Sequence, residues 1–116
     1  MNIYLFDFDN TIVKLPYQET LEYLDQNESL SPQLEFKLIE KTKSDYLRLL
    51  ENDPDALYLI LSNRIIGVRG SLSNLLSELG YVFDDYYLIK DGDRNKGNRV
   101  RKILDKYQNC TSIKFW

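Results

Sequence analysis

Two short runs of apolar residues constrain the fold of this chain more than anything else in it. Ile3-Tyr4-Leu5-Phe6-Asp7-Phe8 opens the sequence, and Ala56-Leu57-Tyr58-Leu59-Ile60-Leu61 stands near its middle. Both have strand length, and neither alternates apolar with polar positions, so each suits a strand covered on both faces, the usual state of a parallel sheet. Parallel neighbours cannot be joined by a tight turn, and each connection has to be a crossover with room for a helix.

The intervening sequence supplies helix signals. Tyr17, Leu21 and Leu24 repeat at helical spacing over residues 17–26, and residues 27–31 read as a break. Ser31-Pro32 is a helix start, because serine caps free amides and proline in the first turn gives up no hydrogen bond. The helix it opens is predicted to run to about Glu51, with Leu34, Leu38, Tyr46 and Leu50 on one face, until Asn52-Asp53-Pro54 stops it. Ser71 is placed to cap a helix carrying Leu72, Leu75, Leu76 and Leu79, and Gly80 to end it. Residues 81–89 offer two strand-like pieces around Asp84-Asp85. The loop Lys90 to Lys96 leads into a helix with Val100, Ile103, Leu104 and Tyr107 on one face, and Thr111 to Trp116 reads as a last strand. Strands alternating with helices predict one α/β domain over residues 1–116, a parallel sheet between two helical layers in the three-layer, Rossmann-like manner.

What this fold would do is written at the end of the first run. Asp7 and Asp9 follow buried strand positions, in Asp7-Phe8-Asp9-Asn10-Thr11-Ile12. An ionised carboxylate leaves water at a cost of several kcal/mol unless a partner compensates it, so two of them at a strand end predict a cation, with Mg²⁺ the expected one. The chain has no histidine. That removes the histidine-activated serine and cysteine nucleophiles and the His-containing zinc sites, and leaves carboxylates, lysine, hydroxyls and a hard metal. Ligands of open parallel sheets bind beyond the carboxyl ends of the strands, which puts Asp9, Ser62 and the Lys90 to Lys96 loop on one rim.

Charge and cysteine content add less. Residues 90–106 hold seven basic groups against three acidic ones in a chain of net charge −3, so a basic segment sits on an acidic body and marks where an anion docks. The one cysteine, Cys110, can form no internal disulfide and is expected as a small buried hydrophobe. No apolar stretch reaches the length of a membrane span, and the N-terminus runs straight into a strand, so a cytoplasmic protein without membrane contact is expected.

In these features the chain resembles the haloacid dehalogenase superfamily of aspartate-nucleophile phosphohydrolases. The D-x-D-x-T motif after a hydrophobic strand is met by Asp7, Asp9, Thr11 and Ile12, with Asn10 where glycine is commoner, a change asparagine accommodates because it accepts left-handed backbone angles. The resemblance implies that Asp7 attacks phosphorus to give an aspartyl phosphate, that Asp9 serves as acid and then base, and that Asp7 and Asp9 share in holding Mg²⁺. Leu61-Ser62-Asn63-Arg64 is similar to the second motif in its polynucleotide-phosphatase and RNA-repair versions. The resemblance makes Thr11 of the first motif and Ser62, Asn63 and Arg64 of the second phosphate-binding, together with Lys96, although Arg64 suits a surface ion pair equally well. Lys96 is the first choice for the third-motif lysine, with Lys90, Arg101 and Lys102 as alternatives.

The fourth motif, one or two acids after the strand Thr111 to Trp116, does not occur within the 116 residues, and Asp84, Asp85, Asp91 and Asp93 are expected too far away to replace it. Without a following strand, Thr111 to Trp116 is expected as an apolar edge that either self-associates or is covered by a downstream segment of a longer protein. Short intervals between motifs leave room for a minimal cap or none. The function expected is a Mg²⁺-dependent phosphatase acting on nucleic-acid ends or nucleotides. The alternatives are a phosphatase for small metabolites or phosphoproteins, and a catalytically silent module for binding or assembly.

Overall fold

The computed structural model of the chain describes residues 1–14 and 37–116. The predicted helix over 17–26 and the Ser31-Pro32 helix start lie outside the described residues, as does most of the interval where a cap would be inserted.

Four parallel strands form the main sheet: β1 (Asn2–Phe6), β4 (Leu57–Ile65), β5 (Asp85–Ile89) and β6 (Ser112–Phe115), in the order β5-β4-β1-β6. β2 (Val13–Lys14) and β3 (Lys37–Leu38) pair antiparallel beside it. The described helices are α1 (Glu40–Asn52), α2 (Arg69–Glu78) and α3 (Lys96–Lys106).

Alternation along the two central strands divides the core. Tyr4, Phe6, Tyr58 and Ile60 face one way and pack with Tyr46 of α1 and Leu72 and Leu76 of α2. Ile3, Leu5, Leu59 and Leu61 face the other way and pack with Ile103 of α3. The chain is therefore a mixed α/β fold with helices on both faces of a parallel sheet. Each of these side chains contributes about 1.5–3 kcal/mol by leaving water. Cys110 is partly buried against the second cluster, with its Sγ 3.2 Å from the Ser112 carbonyl. Among the described residues no helix is long and apolar enough to cross a membrane.

Element ends depart from the periodicity in several places. Leu38 is not on a helix: it pairs with Val13, and the Ile39 amide donates to the Ile12 carbonyl at 2.9 Å, so partners distant in sequence take the backbone groups a helix would have used. Ser71 is the third residue of α2 and not its cap, because a 3₁₀ turn over Ile66–Val68 runs directly into the helix. Gly80 does end α2. With φ of +84° its amide reaches the Ser77 carbonyl at 3.1 Å, and the Tyr81 amide reaches that of Leu76 at 2.8 Å, which is the Schellman pattern.

The two strand-like pieces within residues 81–89 resolve into one strand, β5. Upstream of it the Tyr58 amide donates to the Asp84 carboxylate at 2.8 Å. Leu104 is exposed, and the buried face of α3 is built on Arg99 and Ile103 instead. The last strand sits at the sheet edge with most of its apolar side chains covered. Ile113 packs on the second cluster, and the Trp116 ring stacks on Phe6 at 4.9 Å, leaving Phe115 exposed.

Candidate functional site

β1 delivers Asp7 one residue past its end, and backbone pairing fixes it there. The Trp116 amide donates to the Leu5 carbonyl at 2.8 Å, and the Asp7 amide donates to the Trp116 carbonyl at 3.1 Å. The chain then closes a tight turn in which the amides of Thr11, Ile12 and Val13 all converge on the Phe8 carbonyl. Asn10 takes the left-handed conformation, φ +59°, that its position in the motif requires.

Asp7 meets Lys96, the first residue of α3. The Lys96 ammonium donates to Asp7 Oδ2 at 2.8 Å, and Asp7 Oδ1 accepts the Phe8 amide, also at 2.8 Å. Both side chains keep about a third of their surface, 32% for Asp7 and 35% for Lys96. Helix α3 is aimed at the rim by its own cap. The Asn95 side chain accepts the Gly97 amide at 2.8 Å, while Asp93 accepts the Asn95 amide at 2.9 Å and the Asn98 side chain at 3.0 Å. Those bonds hold the Asp93 carboxyl below the usual carboxylate range, with the Asn98 bond the largest cause. Lys90, Arg101 and Lys102, the alternatives to Lys96, are exposed.

The second carboxylate is held differently. The guanidinium of Arg64 grips Asp9 as a fork, Nε to Oδ2 at 2.8 Å and Nη2 to Oδ1, with only 2% of the arginine side chain exposed. Strand β4 does not stop at Leu61. It continues through Ser62, Asn63 and Arg64, and period-two alternation turns Ser62 and Arg64 inward and Asn63 outward. Ser62 is consequently fully buried, and its Oγ accepts the Arg64 amide at 3.2 Å. Of the residues expected to bind phosphate, Ser62 and Arg64 thus lie beneath the rim, while Thr11, Asn63 and Lys96 retain exposed surface.

Arg99 belongs to none of the motifs, yet it braces the rim. It is 5% exposed and donates through Nη1 to the carbonyls of Ser62 at 2.5 Å and Tyr87 at 3.3 Å, and through Nη2 to the Asn63 side chain. It ties the ends of β4 and β5 to α3. Burial lowers its proton affinity below the usual arginine value, and the fields of Asp93 and Asp7 oppose that. One signal pointed to it: Arg99 lies three residues after Lys96 and four before Ile103, on the inward face of a helix that should carry an apolar residue there.

Beside Asp7 and Lys96 opens a pocket of about 260 Å³, walled by Leu5, Leu61, Val100, Phe115 and Trp116, with Gly97 at its helix side.

For a divalent cation the donor set is poor. Asp7 already faces an ammonium and Asp9 a guanidinium fork, and among the described residues no three acid or cysteine side chains are grouped to hold a metal. β5 stands two positions from β1, and its Asp85 is engaged by Arg69 at 3.1 Å and Lys106 at 3.7 Å. A dication would have to displace cations that already neutralise both carboxylates, so these residues as arranged do not fit Mg²⁺.

No family model, no curated protein and no solved structure matches the chain.

Proposed function

We propose that this chain is a phosphohydrolase of the haloacid dehalogenase type, with a Rossmann-like core and Asp7 as nucleophile. The observation that carries this reading is the Asp7–Lys96 pair, 2.8 Å apart, part-exposed at the carboxyl end of a central strand and at the mouth of a pocket. A carboxylate approaches an anionic phosphoryl group only if positive charge offsets the repulsion, and Lys96 supplies it at the attacking oxygen. Asp7 forms the O–P bond as the P–O bond to the alcohol breaks. The leaving oxygen takes a proton, and water then cleaves the aspartyl phosphate to return the carboxylate and free phosphate. By the same resemblance Asp9, two residues on, handles those protons, and the Arg64 fork holds its carboxylate.

Nucleic-acid ends or nucleotides are the substrates this reading favours, on the exposed basic groups Lys90, Arg94, Arg101 and Lys102 around the start of α3. The burial of Arg64 removes it as a second phosphate contact. A specific observation favours a second reading, a silent binding module: both carboxylates are already charge-compensated, and Ser62 is closed off from the rim.

Phosphate release from 4-nitrophenyl phosphate and from 3′- and 5′-phosphorylated oligonucleotides, with Mg²⁺ and with chelator, separates the two. Turnover that disappears in Asp7→Asn supports the enzyme. Absence of Asp7-dependent turnover on every substrate in both conditions leaves the binding module.

A further inference from the structure

The pocket beside Asp7 has a chemistry that a phosphoryl site does not need. Its polar side is Asp7 and Lys96, yet the rest of its wall is Leu5, Leu61, Gly97, Val100, Phe115 and Trp116. Leu5 and Leu61 are 1% and 5% exposed and form a packed floor, whereas Phe115 is 59% exposed, a large apolar ring left in water at the lip. A scattered surface phenylalanine would call for no explanation. This one adjoins a concave apolar surface that ends at an ammonium and a candidate nucleophile, the pattern of ligand pockets in which a few polar groups orient an otherwise apolar partner.

We infer that this pocket takes the alcohol portion of a phosphate monoester bearing an aromatic ring of nucleobase size, its ring against Phe115 and Val100 and its anionic end at Lys96. The inference rests on the phosphoryl reading of Asp7 and names the substrate class for it. The volume of about 260 Å³ lies just below the range of pockets for drug-sized ligands and has room for one ring system. Charge decides the end that enters at Lys96. Arg99 lies buried behind the rim, its Nε without a hydrogen-bond partner among the described residues, and it adds fixed positive charge on the same side. A flat ring against Phe115 gains from offset or edge contact as well as from leaving water.

The test uses phosphonates, which carry the phosphate charge but cannot be hydrolysed, so binding is read apart from turnover. Calorimetric titration of the full chain with benzylphosphonate and methylphosphonate is expected to show the benzyl compound binding about tenfold tighter, the effect of half-burying one phenyl ring. Phe115→Ala, a surface change that leaves the core intact, is expected to cut that preference to about twofold while leaving methylphosphonate affinity unchanged. Lys96→Met is expected to weaken both ligands together. Equal affinity for the two phosphonates, binding of neither, or a ring preference that survives Phe115→Ala would each overturn the inference. Turnover of phenyl phosphate separates this from the reading beneath it. A ring preference without Asp7-dependent turnover keeps the pocket and removes the phosphatase, and turnover without a ring preference does the reverse.

Discussion

Two groups of polar side chains sit at opposite ends of the same sheet and are satisfied in opposite ways. At the amino end the Asp53 carboxylate accepts the Asn2 amide and the Tyr4 hydroxyl, both at 2.8 Å, and its carbonyl accepts the Tyr58 hydroxyl at 2.7 Å. At the carboxyl end Asp7 and Asp9 meet the charged groups of Lys96 and Arg64. Neutral donors tie the start of β1 to the end of α1 and the start of β4, and among the described residues no side-chain cation pairs with Asp53. The Asp7–Lys96 pair at the pocket mouth can be exchanged for an anion, because an ammonium that balances a carboxylate can equally balance a phosphoryl oxygen. One end reads as structure and the other as chemistry.

The largest expected effect tests that contrast directly. On the proposed mechanism Asp7→Asn should lower turnover of 4-nitrophenyl phosphate by at least ~10³-fold, as loss of a nucleophile does, whereas Asp53→Asn should leave it within about threefold. Comparable losses in both variants, measured as initial rates on folded protein, would erase the distinction between the two ends.

Stability should divide the ends in a second way. Arg64→Met removes the guanidinium fork from the part-buried Asp9 carboxylate, so it should cost about 2–3 kcal/mol in urea unfolding. The exposed Arg48–Asp45 pair offers the comparison, since Arg48→Met should change stability by less than about 0.5 kcal/mol. Next in size is Gly80→Ala, on the approach to the amino end of β5. Its φ of +84° should cost about 1–2 kcal/mol in a residue with a Cβ, without altering turnover, since the Lys43 side-chain end can move aside.

The smallest effect is the pH response of the amino end. Hydrogen bonds from Asn2 and Tyr4 hold the Asp53 carboxyl below its usual value, so its contribution is present above that value and lost as pH falls through the lowered one. Burial pushes the Tyr58 hydroxyl up to about 12, so its contribution is intact below pH 10 and lost as pH rises toward 12. Unfolding midpoints of the native chain and of Tyr58→Phe from pH 8 to 12 should converge at the alkaline end if this assignment holds.

Much of the fold was legible because its signals are local. The unbroken apolar runs announced two-sided burial, the leucines of α2 and Gly80 marked that helix and its end, and the D-x-D spacing put Asp7 and Asp9 at the end of β1. What failed depended on partners distant in sequence. Leu38 fits helical spacing but pairs with Val13, and Ser62-Asn63-Arg64 looks like a loop until Asp9 and Arg99 hold it as strand. Arg99 itself was passed over because a basic residue on a basic helix reads as solvated, and its hydrogen bonds to two strand ends cannot be seen from the helix alone.

By itself the sequence determined that Asp7 and Asp9 would stand together at the end of a buried strand, since a two-residue step along an extended chain fixes that much. Only the tertiary structure decided which cation each would meet. Lys96 comes to Asp7 across 89 positions and Arg64 to Asp9 across 55, and partnerships over such separations are set by sheet order and helix placement, not by any spacing within the chain.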